Sequence, residues 1–316
     1  MSSVLIIGGG VAGLQAASDL VCLGHPVHLV EKESSLGGRP IQARFYKLVP
    51  DLRLASQVIG PLIENAIAQE GMAIHLNSTV SRVSGEAGKF RAIVEDPKGR
   101  HEVEVGAIIV ATGYEHFDPT IKQEYGFGVY SDVITSPQLE EMLHPEGPTG
   151  GELKRPSDGR IPKRVVLFQC VGSRDDQVGN RYCCRIGCVT STKQAIEIRE
   201  RHPESEVTIH YMDIRTTGSG WEELYWKAQE EFRVQYLRGR GAEVLPKGGR
   251  LQIRAEDTLL NRPFIREVDL VVLAVGMRPG KGTTQAARLL NLPTGEYGFL
   301  MPADPLLRPL DTSREG

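Results

Sequence analysis

The chain has 316 residues, 40% hydrophobic and 24% charged, with a formal net charge of −3. That composition is globular and long enough for two domains with cores of their own. The near-neutral charge excludes an electrostatic nucleic-acid binder or a polybasic membrane-surface protein. No apolar run reaches the roughly 18–20 residues of a membrane span.

The N-terminus, MSSVLIIGGG, enters a strand directly, with no signal-type n-region, so a cytoplasmic location is expected. In such a reducing compartment clustered cysteines point to metal or redox chemistry rather than structural disulfides. Val4 to Ile7 are consecutive apolar residues, as in a parallel strand buried on both faces. Gly8, Gly10 and Gly13 then fit G-x-G-x-x-G, with Val11 and Ala12 opening the helix that follows. Gly8 permits the tight turn, Gly10 lets backbone approach a pyrophosphate, and Gly13 lets helix and strand pack closely. The helix N-terminus offers unpaired N–H groups and a positive dipole to the phosphates. A second strand, VHLVE, ends at Glu31, where a carboxylate can bind ribose hydroxyls, with Lys32 beside it. Strand, turn, helix, strand and acid in register predict a dinucleotide site.

Gly37-Gly38-Arg39 follows, and the strand VEVGAIIVATG ends in Ala111-Thr112-Gly113. Both resemble markers of the two-dinucleotide-binding flavoprotein superfamily, and with the first glycine motif they imply FAD rather than NAD. The same resemblance implies a backbone contact to adenine at Val80. The fold expected is α/β: a Rossmann-like FAD domain with a second Rossmann-like domain inserted.

The run 144–162 is rich in Gly, Pro and charge and reads as a linker or surface loop, and the linker is placed at 126–160. A second α/β unit follows, with RVVLFQ as a strand, 189–201 as a helix and EVTIHYMDI as another strand. Trp221, Leu224, Tyr225 and Ala228 recur at helical spacing and read as a core or interface face. The stretch 250–280 echoes 89–119: a meander, a buried strand, then Ala274, Val275 and Gly276, which makes Gly276 a further nucleotide-contact candidate. The expected domains are 1–125 plus 262–316 for FAD and 161–261 for the insert.

In a nicotinamide-binding insert, RVVLFQ would lead into a second glycine-rich loop. Here the loop is CVGSRDD, with only Gly172, so NAD(P)H binding is not expected. Cys170, Cys183, Cys184 and Cys188 have the spacing C-x12-C-C-x3-C. Spacing alone leaves a [4Fe–4S] cluster, zinc, a redox dithiol or inert thiols open, with the adjacent Cys183 and Cys184 awkward for one mononuclear ion. Cys22, on the first helix, reads as a buried small apolar residue.

QCVGSRD, VGNRYC, the cysteine-rich turn, RGRGAEV, DLVVLAVGMRP and DPLLRPLDT together resemble the flavin-carrying A-type subunit of heterodisulfide reductases, in the short form found in sulfur oxidisers and in quinone-interacting complexes. The resemblance spans essentially the whole chain. It implies FAD, a [4Fe–4S] cluster near it, B- and C-like iron–sulfur partner subunits, a homodimer, and Lys193 near the reactive edge of the flavin. The family turn carries a cysteine where this chain has Gly187 and a serine where it has Cys184, so Cys184 is the expected replacement ligand. The family also continues past DTSREG with a segment that closes over the flavin. A free-standing NAD(P)H-dependent disulfide or ferredoxin reductase, and a zinc-stabilised scaffold with a vestigial flavin site, are the competing expectations.

Overall fold

The computed structural model describes residues 2–316 and divides into two units. The first comprises the residues up to Gln42, Ala55–Glu115 and Arg278–Gly316; the second comprises Ala43–Leu54 and His116–Met277.

The first unit is built on a four-stranded parallel sheet in the order Met72–His75, Val27–Val30, Val4–Ile7, Ala107–Val110. The apolar run predicted as a doubly covered strand is that: Leu5 and Ile6 have no exposed surface. One face packs on the helices Val11–Cys22 and Ala55–Ala68 through Leu14, Ala17 and Ala66. The other meets the antiparallel meander Thr79–Glu86, Lys89–Asp96, Gly99–Val105. There the central strand alternates Phe90, Ala92 and Val94 inward with Lys89, Arg91, Ile93 and Glu95, the period-2 pattern of a half-buried strand.

The second unit repeats the scheme with five parallel strands. Their order is Gln235–Arg238, Glu206–Tyr211, Arg164–Val171, Leu270–Val275, Val133–Thr135. The meander Gly241–Lys247, Arg250–Asp257, Arg262–Val268 feeds the fourth of these strands. The helix Gly187–Arg201 follows the central strand, and nearly every side chain from Cys188 to Ile198 is buried. Trp221–Glu230 turns Leu224 and Ala228 into the same core, with Trp221 packed against it.

The α/β architecture agrees with the expectation, but the units divide elsewhere than at 125/126, 160/161 and 261/262. Residues 126–160 are not a free linker. Val133–Thr135 is an edge strand, and Thr135 starts the helix Ser136–Leu143 with a reciprocal capping box to Gln138. The polar run beyond is pinned by Arg155, whose guanidinium donates to the buried Asp132 carboxylate at 2.7 Å. At the other end Leu270–Val275 pairs with Arg164–Val171, so sheet pairing carries the second unit on to Met277.

Candidate functional site

The first unit holds a cavity of about 210 Å³ at the carboxyl ends of its parallel strands, the usual ligand position in open α/β sheets. Of the predicted residues, Gly8, Gly10, Glu31, Lys32, Gly38, Arg39, Val80, Ala111, Thr112 and Gly113 line it. Gly13 and Gly37 lie behind the wall. A Cβ on Gly13 would stand 1.9 Å from the Gly8 carbonyl oxygen, and one on Gly8 (φ +117°) 2.2 Å from the Ala111 carbonyl oxygen. No side chain fits at either place, so strand, turn and helix depend on both glycines. Gly37 donates its N–H to the Gly9 carbonyl at 2.9 Å, bringing the second glycine pair against the first. Val11 and Ala12 sit exposed in the first helical turn and do not line the cavity.

Glu31 is 6% exposed. Its Oε2 accepts the Gly9 N–H at 2.6 Å and its Oε1 the Glu33 N–H at 2.9 Å. The acid thereby holds the glycine turn in shape, and each carboxylate oxygen keeps a further lone pair for a ligand hydroxyl. Arg39 donates to the Tyr114 carbonyl at 2.7 Å and lies over the Tyr114 ring, 5.6 Å from its centroid. One wall is not foreseen by the sequence motifs. The helix Lys281–Leu290 contributes Gly282, Gln285, Ala286 and Leu289, and Gly280 stands at its N-cap. The signal is present in RPGKGTT, where two small residues let a helix start close to Thr112; a Cβ on Gly282 would stand 3.0 Å from the Thr112 Cβ.

The second unit places no nucleotide loop after its central strand. A Cβ on Gly172 (φ +73°) would lie 2.0 Å from the Phe117 ring, so this glycine seats an aromatic ring rather than a phosphate. Gly276, offered as a nucleotide contact, packs instead on Ser173 and the Gly172 carbonyl and is not part of the cavity.

The four cysteines of this loop are all free thiols; Cys170, Cys184 and Cys188 are buried and Cys183 is half-buried. Cys170 has φ +61° where the pairing of Arg164–Val171 with Leu270–Val275 shifts register. A left-handed non-glycine residue in a strand costs on the order of 1–3 kcal/mol, and such strain collects at functional sites. Burial pushes the Cys170 thiol up to about 12; the neighbouring thiols of Cys188, Cys184 and Cys183 push the same way, and Arg174 opposes them. Burial also raises Cys188, which lies in the first turn of the helix Gly187–Arg201, while a backbone hydrogen bond from Arg215 opposes the rise. Arg174 is held by Asp213 at 2.7 Å.

The thiols therefore share one buried neighbourhood beside a helix N-terminus and a guanidinium, a donor set suited to a thiolate-bound iron–sulfur cluster. Among the described residues no three His, Cys, Asp or Glu side chains are set to hold a single metal ion. The Cys184 sulfur lies 3.2 Å from where a Cβ on Gly187 would stand. Cys22, expected to be buried, is exposed near the end of the first helix.

Lys193, expected near the flavin, is buried in an ion-pair network. It is 3% exposed, and its Nζ donates to Glu140 Oε2 at 2.6 Å and to the Lys47 carbonyl at 2.9 Å, with Glu197 at 3.4 Å. Gln194 donates to the same Glu140 carboxylate at 2.7 Å. The ammonium is thus spent inside the second unit on a buried ion-pair network.

A sequence profile of the family described as pyridine nucleotide-disulphide oxidoreductase matches residues 2–308, and the chain belongs to that family. Within it, the chain is 36% identical to the second A-type iron–sulfur subunit of CoB–CoM heterodisulfide reductase from Methanopyrus kandleri, over 99% of its own length and 59% of the relative's. The corresponding subunit of Methanocaldococcus jannaschii is also 36% identical over the same shares. The chain thus spans about three-fifths of these relatives, and the 391 aligned positions of the first exceed the 316 residues here, so the relative carries insertions within the matched span. Among solved structures, Lactococcus lactis thioredoxin reductase superposes with a TM-score of 0.59 at 16% identity, covering 98% of this chain and 87% of that one. T. acidophilum thioredoxin reductase superposes with a TM-score of 0.58 at 17% identity, covering 99% and 86%. These likenesses establish the two-domain flavoprotein-type fold. No helix among the described residues is long and apolar enough to cross a membrane.

The Lys193 network makes stability depend on pH. Burial, reinforced by Glu140 and opposed by Lys193, Arg201 and Lys47, raises Glu197 from 4.5 to about 7. The folded protein then holds this proton more tightly than the unfolded chain, so the stabilisation is full below about pH 4.5 and is lost as pH rises through about 7. Glu197→Gln mimics the protonated acid. In thermal melts from about pH 5 to about pH 8 the variant should gain stability relative to wild type as pH rises, and a constant difference would count against the assignment.

Proposed function

We propose that the chain is the FAD- and [4Fe–4S]-carrying electron-transfer part of a heterodisulfide-reductase-like complex. The observation that carries this reading is the gathering of four thiols at the strand–helix turn where a nicotinamide-binding domain keeps its phosphate loop. The likeness to A-type subunits of heterodisulfide reductase over 99% of the chain supports it.

FAD would occupy the first-unit cavity. The turn Gly8–Gly13, with Gly37 and Gly38 packed against it, presents backbone and a helix N-terminus to the pyrophosphate. Glu31 would accept ribose hydroxyls with its remaining lone pairs, Val80 would contact the adenine, and Arg39, Lys32 and the Ala111-Thr112-Gly113 turn, which line the same cavity, would hold the rest. Cys170, Cys183, Cys184 and Cys188 would hold the cluster, with Cys184 filling the place that Gly187 leaves. The flavin supplies the exchange between two-electron and one-electron traffic, and the cluster carries single electrons. Burial and mutual repulsion hold the Cys170 and Cys188 thiols protonated in the protein alone, and the Arg174 guanidinium and the helix dipole at Gly187 oppose this only in part, so the protons would have to be displaced by iron. Lys193 has a structural role, compensating two buried carboxylates. Iron–sulfur subunits of B and C type are the expected partners, in a homodimeric cytoplasmic assembly acting in sulfur or disulfide metabolism. Direct reduction by NAD(P)H is disfavoured because Phe117 covers the one glycine of the loop.

Anaerobically purified protein should contain about one FAD and about four irons per chain, and NADH alone should leave the flavin oxidised. Zinc without iron, or bleaching by NADH, would contradict the reading. Cys184→Ser should abolish or alter the EPR signal of the reduced cluster; an unchanged signal would exclude Cys184 as a ligand.

A further inference from the structure

The strand that delivers Cys170 also carries Gln169, one residue earlier and 6% exposed. Its Oε1 accepts from the Cys188 sulfur at 3.5 Å, while its Nε2 is buried with no acceptor. Cys188 has a single S–H, yet two oxygens stand around its sulfur: Gln169 Oε1, and the Asp213 carbonyl at 3.6 Å. The thiol form therefore leaves one acceptor short of a hydrogen and both N–H groups of the amide with nothing to bind. An unpaired buried N–H is rarer in native proteins than an under-satisfied carbonyl, and leaving one costs about 1–3 kcal/mol.

A sulfur bound to iron carries no proton and can only accept. Turning the Gln169 amide by a half rotation about its last bond brings Nε2–H onto that sulfur and requires no movement of the backbone, because nitrogen and oxygen occupy nearly the same volume. One N–H then meets the proton-free sulfur and the amide carbonyl takes the unpartnered position, which costs less than an unpaired N–H. We infer that Gln169 is a positioning and tuning residue that donates an N–H···S hydrogen bond to Cys188 in the cluster-bound protein. The inference rests on the proposed cluster site and names a residue that cysteine spacing does not reveal.

The consequence is directional. One electron entering the cluster adds negative charge, part of it on the cysteine sulfurs, and a hydrogen-bond donor stabilises that reduced form more than the oxidised one. Gln169 therefore raises the reduction potential. Leu and Met both remove the donor, and Met also keeps the length and flexibility of the side chain.

The test is an anaerobic potentiometric titration of the full protein, following the EPR signal of the reduced cluster in wild type, Gln169→Leu and Gln169→Met. Iron content and flavin absorbance are measured on the same samples. Both variants should show a more negative cluster potential at unchanged iron and flavin content. An unchanged or more positive potential overturns the inference, and so does loss of iron from both variants, which would make Gln169 a packing residue only. Wild-type protein with no iron–sulfur signal overturns the cluster reading itself, an outcome distinct from an unmoved potential.

Discussion

Each unit depends on the same constraint: a buried parallel strand that runs into a helix leaves unpaired N–H groups and positive dipole at the carboxyl end of the sheet. Something electron-rich has to meet them. The first unit answers with a glycine turn so tight that neither Gly8 nor Gly13 has room for a Cβ, which opens the helix N-terminus to a dinucleotide. The second answers with sulfur. Its strand bulges at Cys170, and Phe117 fills the space above Gly172. The helix Gly187–Arg201 begins with Cys188 in its first turn. The topology is shared, and the chemistry differs because the turn residues differ.

The second unit holds two buried polar groups, one of charges and one of thiols. Around Lys193, Glu140 and Glu197 flank the ammonium and the Lys47 carbonyl takes a further hydrogen. Breaking one partner would strand a buried charge, and the Glu197 carboxyl, whose oxygens accept no hydrogen bond, is pushed up to about 7 by its burial. Around Cys170 the balance stays open. Arg174 acts on the thiols of Cys170, Cys183 and Cys188, and the Gln169 Nε2 and Ser173 Oγ of the same stretch have no partner. The unpartnered Nε2 donor calls for an acceptor, which a proton-free sulfur would supply. Lys193 and Cys188 lie on one nearly fully buried helix, so the network that anchors its middle also fixes the position of Cys188.

What can be read in advance follows the range of the physics. The glycine turn, the strand Val4–Ile7 and the helix after the cysteines are legible because steric fit and periodicity act over a few residues. The wall formed by Lys281–Leu290 is not, since its approach to Thr112 spans some 170 residues of chain. Lys193 looks free in the sequence because its partner Glu140 is 53 residues away and nothing in the local pattern marks the pair. The unit boundary near 261 is misplaced for a related reason. The strand Leu270–Val275 follows a meander like the one before Ala107–Val110, and only its pairing with Arg164–Val171 assigns it to the second unit. The capping box at Thr135 and Gln138 is a local signal that 126–160 is no linker.

The central claim is that the second unit moves single electrons at the turn where a nicotinamide-binding domain would handle hydride. Stoichiometric reductive titration of the anaerobically purified protein tests it most directly. About three electrons per chain are expected, two bleaching the flavin and one appearing with the cluster's EPR signal. Uptake of only about two electrons, all in the flavin and with no iron–sulfur signal, would contradict it.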